Sequence, residues 1–102
     1  MSQKILPKKI KVGEKWYSVE VVEAMRNKGE MGRVYYDERR IELGKRTQRG
    51  IPIRLSALHE TFWHELVHAI LHGMGEHKLN DRENFVEEFS SRLFRAINTA
   101  RF

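Results

Sequence analysis

The first half of the chain alternates apolar and polar residues with the two-residue period of β-strands. Ile10 and Val12 alternate with lysines in one segment, and Tyr17 and Val19 continue the alternation in the next. Alternate side chains of a strand point to the same face, so both segments are predicted to be strands with one apolar face. Residues 13–15, Gly-Glu-Lys, lie between the segments and are predicted to form the turn of a hairpin.

A second hairpin is predicted over residues 32–44, GRVYYDERRIELG, with its turn at residues 37–38. Residues 23–31, which join the two hairpins, do not follow one period, and we interpret them as a short helical turn that ends at Gly29. Residues 44–52 contain two glycines, a proline and three basic residues, a composition that predicts a loop.

The second half changes to the 3.6-residue period of helices. From about Ser56 to His72, large apolar residues recur at helical spacing: Phe62, Trp63, Leu66, Val67 and Ile70. Gly73 is predicted to end this helix in the C′ position. A second helix is predicted to begin with a capping box formed by Asn80 and Glu83. Its apolar stripe has four members, Phe85, Phe89, Leu93 and Ile97.

Four short strands followed by two helices predict an α+β fold, in which a small antiparallel sheet of about four strands packs with two C-terminal helices. The chain of 102 residues has neither an internal repeat nor a linker, so we expect one domain over residues 1–102. The absence of cysteine excludes disulfides and Cys-based zinc fingers. No apolar run can span a bilayer and the N-terminus lacks the apolar core of a signal peptide, which predicts no membrane association and a cytoplasmic location.

Charge is distributed unevenly along the sequence. Residues 1–55 hold 14 Lys or Arg and 7 Asp or Glu (+7), whereas residues 56–102 hold 5 and 7 (−2), and the two values sum to the net charge of +5. A basic half can contact nucleic acid or an acidic partner, but such runs are more often solvated faces. We therefore interpret it as a solvated face, with nucleic acid as the less favoured partner.

The predicted first helix carries a motif with a defined chemistry. His64, Glu65 and His68 spell H-E-x-x-H, the pattern of a zinc site with its own base. At about 100° per residue, His68 falls about 40° and Glu65 about 100° from His64, whereas the apolar Leu66 falls about 200° away. The two imidazoles can therefore converge on one Zn²⁺, while Glu65 reaches a metal-bound water and acts as general base and then acid. The alternative is a core helix whose histidines face solvent.

A catalytic zinc site takes three protein ligands, so the motif needs a partner. His72 lies about 12 Å along the helix axis from His64, too far for both to share one ion on a straight helix. His77 is a weaker candidate in the inter-helix loop, and the longer pattern with a third histidine fails because Met74 occupies its place. The remaining candidates are the carboxylates of the second helix, Glu83, Glu87 and Glu88.

Neighbouring residues favour one of these carboxylates. Glu88 lies beside Arg92 and Arg95 at i+4 and i+7, the surroundings of a solvated ion-paired face. Glu87 lies beside small and apolar residues and has no nearby cation, the setting that a bound metal ion suits. The predicted site holds one Zn²⁺ per chain through His64, His68 and Glu87, with Glu88 as the first alternative and Glu83 behind both.

The segment ALHETFWHELVHAILHGMG, followed by ENFVEEFSSRLFRAI, resembles the ImmA/IrrE-type zinc metallopeptidases, especially their short single-domain phage and prophage forms. The first helix matches at Thr61, His64, Glu65, His68 and Ala69, and the second matches at Val86, Glu87 and Leu93. The resemblance spans residues 30–98 or so and implies a gluzincin-like site in which the "VE" step falls on Glu87. It also implies hydrolysis of a peptide bond in a protein or peptide substrate, such as a repressor.

Two rival functions stay open at this point, and so does the oligomeric state. One is a metallopeptidase-like binding module that holds a protein or nucleic acid through its basic half, and the other is a structural zinc domain without hydrolysis. In a peptidase, the strand of residues 39–43, RRIEL, is expected to align the substrate by β-augmentation. Tyr35 or Tyr36 is a candidate oxyanion donor, although strand tyrosines more often pack, and residues 16–17, Trp-Tyr, are interpreted as core.

Overall fold

The computed structural model describes residues 6–102 and confirms the α+β class. Its four strands occupy the N-terminal half: β1 Lys9–Val12, β2 Lys15–Ala24, β3 Gly32–Tyr35 and β4 Arg40–Arg46. Three helices follow, one more than expected: α1 Leu55–Gly73, the single-turn α2 His77–Asn80 and α3 Glu83–Thr99. Among the helices of residues 6–102, none has the length and apolar composition needed to cross a membrane.

The sheet has the strand order β1-β2-β4-β3. The β1–β2 and β3–β4 pairs are antiparallel hairpins, as predicted, but β2 and β4 run parallel, so the sheet is mixed rather than wholly antiparallel. Alternation of residues identifies each hairpin, but it does not specify which strand of the second hairpin docks on the first. Docking through β4 places that strand in the centre of the sheet and leaves β3 at an edge.

The strand order of the sheet changes which strand can pair with a substrate. β4 has a hydrogen-bonded neighbour on each side, so the prediction that residues 39–43 align a substrate by β-augmentation is wrong. Among residues 6–102, β3 has a strand neighbour on one side only, so its other row of backbone groups is not paired by these residues.

The main core lies between α1 and one face of the sheet. Ile41 and Leu43 of β4 are fully buried against α1, and Tyr17 is buried beside them. The helix contributes four buried residues, Leu58, Phe62, Leu66 and Ala69. Burial of each large apolar side chain stabilises the fold by about 1.5–3 kcal/mol, so this layer holds α1 rigidly on the sheet. Trp16 is 53% exposed on the opposite face, and its assignment to the core is wrong.

α3 packs on α1 through a face rotated from the predicted stripe. Its buried residues are Val86 and Ser90, whereas Phe89 and Ile97 are 46% and 39% exposed. Val86 meets Val67 and Leu71 of α1 in a second, smaller cluster. Phe85 is partly buried against the same cluster, so only part of the predicted stripe faces solvent.

Both predicted helix-terminus motifs are replaced by other structures. Gly73 is still helical, and Gly75, with φ of 76°, occupies the left-handed C′ position. The backbone N–H groups of Gly75 and Glu76 donate to the carbonyls of His72 and Leu71, the two bonds of a Schellman motif. The capping box is also wrong, because α3 begins after Arg82 without a side-chain cap and Asn80 bonds elsewhere.

Candidate metal centre

Three ligand atoms converge where α1 faces the start of α3. His64 and His68 lie one turn apart on α1, with ring centroids 5.0 Å apart. Glu83, the first residue of α3, brings its two carboxylate oxygens to 3.3 Å from Nε2 of His64 and 3.3 Å from Nε2 of His68. One ligand atom from each residue lies within 4.8 Å of the others, close enough for the three side chains to hold one metal ion.

Asn80 orients one of the two histidines. Its Oδ1 lies 2.6 Å from Nδ1 of His68, and its Nδ2 donates to the hydroxyl of Tyr36 at 3.1 Å. Since Oδ1 can only accept, a proton resides on Nδ1, which leaves Nε2 as the ring nitrogen available to a metal ion. An outer partner of this kind fixes the tautomer and ring orientation that a metal ligand requires. The sequence gives no sign of this role, because Asn80 also fits the pattern of a helix cap.

The other predicted candidates occupy different positions. Glu87 reaches His64 alone, with an oxygen 3.2 Å from Nδ1, the ring nitrogen that does not face Glu83. Glu88 pairs with Arg92 at 2.7 Å on the exposed side of α3, as its neighbours suggested. His72 stacks on Tyr36 with ring centroids 3.9 Å apart, and His77 lies beside His72 rather than beside the His64 pair. The structure thus brings Glu83 to both Nε2 atoms, while Glu87 stays adjacent to the group.

Glu65 is buried beside the histidines, with 8% of its surface exposed. Burial raises the pKa of its carboxyl to about 8, and the negative charges of Glu83 and Glu30 add to the effect, while Arg33 opposes it. The helical wheel placed Glu65 away from the apolar stripe of α1 but gave no sign of its burial. Gly32 and Val34 of β3 line the same cleft as Glu65, so the edge of the sheet contributes to the cover over this side of the helix.

Gly32 permits that cover. A Cβ at this position would lie 2.8 Å from Cγ2 of Thr61 and 3.0 Å from the carbonyl oxygen of Glu42, closer than real side chains approach. With no side chain there, β3 lies directly against α1 and forms one wall of a cleft that also exposes His64, Glu65 and His68. The cleft is open to solvent and has a volume of about 710 Å³.

The wall continues into residues 25–31, which form a turn rather than a regular helix. Gln48 holds this turn, since the two hydrogens of its side-chain nitrogen Nε2 are shared among the carbonyls of Met25, Asn27 and Glu30, which lie 3.0, 3.0 and 3.2 Å away. A single side chain from the loop after β4 therefore fixes the backbone beside the cleft. Gly29, with φ of 79°, ends the turn where the sequence predicted an ending.

Comparisons of this chain with protein-family models, with curated proteins and with solved structures find no match. The functional interpretation therefore depends on the residues of the cleft and their geometry.

Proposed function

We propose that this protein is a Zn²⁺-dependent metallopeptidase, of the ImmA/IrrE-like type that its sequence resembles. The observation that carries the proposal is the convergence of Nε2 of His64, Nε2 of His68 and a Glu83 oxygen within 4.8 Å, next to a buried carboxyl. Two imidazoles and one carboxylate form the ligand set of thermolysin-type zinc sites. A purely structural zinc site does not need Glu65, a buried acid that lies beside the metal ligands without being one of them.

Glu83 is the third ligand in this proposal, and Glu87 the alternative. Glu83 approaches both Nε2 atoms at 3.3 Å, whereas Glu87 approaches only Nδ1 of His64. Both carboxylates have exposed side chains, so each keeps the freedom to adjust to an ion. When held by His64, His68 and one of these carboxylates, Zn²⁺ would supply Lewis-acid chemistry for hydrolysis.

Glu65 moves the proton during hydrolysis. As a carboxylate it accepts the proton of the attacking water, and as a carboxylic acid it returns that proton to the leaving amine. Its pKa of about 8 favours the acid form near neutral pH, and the positive charge of Arg33 favours the carboxylate. A cation held at the neighbouring histidines would also favour the carboxylate, the form that accepts the proton.

β3 aligns the substrate. In the part of the chain that the structure describes, its outer row of backbone groups has no strand partner, and Gly32 and Val34 line the cleft beside His64 and Glu65. An extended peptide can pair with such an edge and lay its scissile bond across the histidines. A regulatory protein such as a repressor, the substrate class that the resemblance implies, would present a segment of this extended form.

The proposal is tested with zinc-loaded protein and a mixed peptide library, with products identified by mass spectrometry. We expect cleavage by the wild type, loss of cleavage after treatment with a chelator, and loss in Glu65→Gln with zinc retained. Glu60→Gln is the matched control, because Glu60 lies on the same helix but contacts Ser91 instead of the histidines. Equal cleavage by wild type and Glu65→Gln, or no zinc-dependent cleavage of any peptide, would overturn the proposal.

A further inference from the structure

The sheet has a second face that the proposed peptidase does not use. Of the helices in residues 6–102, α1 alone contacts the sheet, and it covers the face that carries Tyr17, Ile41 and Leu43. Residues that alternate with these point to the opposite side. The strand register places two groups there: Lys9, Lys11 and Trp16 on β1 and β2, and Arg40 and Tyr35 on β4 and β3, with Ser18 between the groups.

On the half of this open face formed by β3 and β4, charged and hydrogen-bonding side chains pair with one another. Arg40 pairs with both Glu38 and Glu42, and its guanidinium lies 4.1 Å from the ring centroid of Tyr35. The Tyr35 hydroxyl donates to Glu42 at 3.4 Å. Charges and hydrogen-bonding groups are balanced here, so this half offers little to a partner.

The other half, the β1–β2 hairpin, is different. Trp16 is 53% exposed, and Nζ of Lys9 and Lys11 lie 4.9 and 6.0 Å from its ring centroid. Within the described residues neither lysine pairs with a carboxylate. Residues 8–16 hold four lysines and one glutamate, a local charge of +3. An exposed indole is thus surrounded by cations whose charge the protein does not neutralise.

We infer that the open face of the β1–β2 hairpin binds single-stranded nucleic acid, with an unpaired base stacked on Trp16 and flanking phosphates on Lys9 and Lys11. Aromatic side chains on a sheet surface stack on unpaired bases, and neighbouring cations follow the phosphate backbone. A duplex keeps its base faces within its own stack, and an acidic peptide offers charge without a base to stack. A duplex would therefore use the lysines without the stacking surface of Trp16, and so would an acidic peptide.

The lysines already contact the indole, so binding exchanges one set of interactions for another. Each ammonium is attracted to the ring by a cation–π interaction that stabilises an exposed pair weakly. A phosphate attracts the same ammonium more strongly and frees one face of the ring for a base. The exchange needs only side-chain rotation of exposed residues on a rigid hairpin.

The test is fluorescence anisotropy of a short labelled oligothymidine titrated with the full-length protein at low salt. We expect measurable binding, and affinity that falls as salt rises, with a slope of about −0.7 per neutralised phosphate. Trp16→Ala should weaken binding about tenfold or more, since stacking on one aromatic ring has an effect of this order. Trp16→Phe, which keeps a smaller ring, should bind with intermediate affinity.

Charge-matched variants separate this site from general attraction. Lys9→Glu with Lys11→Glu should abolish binding, whereas Lys28→Glu with Arg49→Glu changes the net charge equally at positions outside the hairpin and should weaken binding much less. Tyr35→Ala, in the half formed by β3 and β4, should bind like the wild type. Circular dichroism verifies the fold of each variant.

Any of four results would overturn the inference: no binding, equal loss in both charge-reversed pairs, unchanged affinity in Trp16→Ala, or stronger binding of the duplex. Displacement of the oligonucleotide by a polyglutamate peptide at equal charge would also overturn it and indicate an acidic protein partner. Glu65→Gln should bind the oligonucleotide normally, so failure here and failure of the proposed peptidase are independent outcomes.

Discussion

Glu65 is the side chain whose ordinary chemistry the fold changes most. Its pKa rises from 4.5 to about 8, chiefly because burial penalises the charged carboxylate. A carboxyl whose pKa is higher in the folded state binds its proton more tightly there than in the unfolded chain. Its contribution to stability is therefore full below pH 4.5 and is lost as the pH rises toward 8.

A glutamine at this position tests that dependence without changing the shape of the side chain. In metal-free protein we expect Glu65→Gln and the wild type to differ little in free energy of unfolding near pH 4. At pH 8.5 the variant should be more stable by an amount on the order of 2–4 kcal/mol, because it never carries the buried charge. Urea denaturation in a chelating buffer at the two pH values measures this. Parallel pH profiles would show that Glu65 is not held in its acid form.

Glu83 and Glu87 make a second comparison at the same scale. If Glu83 is the metal ligand, Glu83→Ala should reduce zinc affinity by more than about 100-fold, beyond the typical loss from an outer partner. Glu87→Ala should reduce it by less, about 10–100-fold, since Glu87 contacts Nδ1 of His64 as an outer partner. Competition with a fluorescent zinc chelator gives both values. The reverse order would assign the ligand to Glu87, as the sequence alone suggested.

At the scale of elements, the contact between β3 and α1 depends on Gly32. Gly32→Ala introduces a methyl group 2.8 Å from Cγ2 of Thr61, and relief requires a shift of β3 or of the Thr61 side chain. We expect a loss of about 1–3 kcal/mol in unfolding free energy, typical of overpacking. Thr61→Ser removes that carbon and should recover part of the loss in the double variant.

Gly73 provides the matched control for that substitution. It is helical, has ordinary φ, and a Cβ there would meet nothing within 4 Å. Gly73→Ala should therefore raise the unfolding free energy by up to about 1 kcal/mol through helix propensity. Thermal and urea denaturation of both variants measure the contrast. A neutral Gly32→Ala would mean that β3 and α1 do not approach as closely as described.

Local pattern was sufficient to predict the strands, α1, the second long helix and the α+β class. Trp16, Asn80 and Gly73 were misassigned for a common physical reason. Each has a local role compatible with its neighbours in sequence, as core aromatic, helix cap or C′ residue. Tertiary structure assigned the first to an open sheet face, the second to His68 and the third to the interior of the last helical turn.

Some residues of the site can be predicted from local sequence, and others depend on contacts between distant elements. His64, Glu65 and His68 are placed by one helix, so spacing alone brings them together. The contact of Glu83 with both histidines depends on how α2 turns the chain between α1 and α3, a geometry that periodicity does not encode. The burial of Glu65 depends on an edge strand that pairs with β4, which only the strand order reveals.

At the scale of the whole molecule, the two halves contribute different parts of the cleft. The histidines and carboxylates come from the helices, whereas the wall that buries Glu65 comes from β3 and residues 25–31. Changes in the sheet are therefore expected to alter proton transfer and substrate alignment, while changes in the helices alter ion binding. The open face of the β1–β2 hairpin lies on the far side of the sheet from both.

The short α2 between α1 and α3 has a consequence for the dynamics of the chain. It keeps His64, His68, Asn80 and Glu83 within one continuous stretch, so closing the chain around an ion costs little loop entropy. Zinc should therefore suppress local opening of the helices more than opening of the sheet. In amide hydrogen exchange, excess zinc at about 100 times its dissociation constant should slow the protected amides of α1 and the first turns of α3 by up to about 100-fold. Amides of β1 and β2 should exchange at nearly unchanged rates, and uniform slowing would instead mean that the two halves open only together.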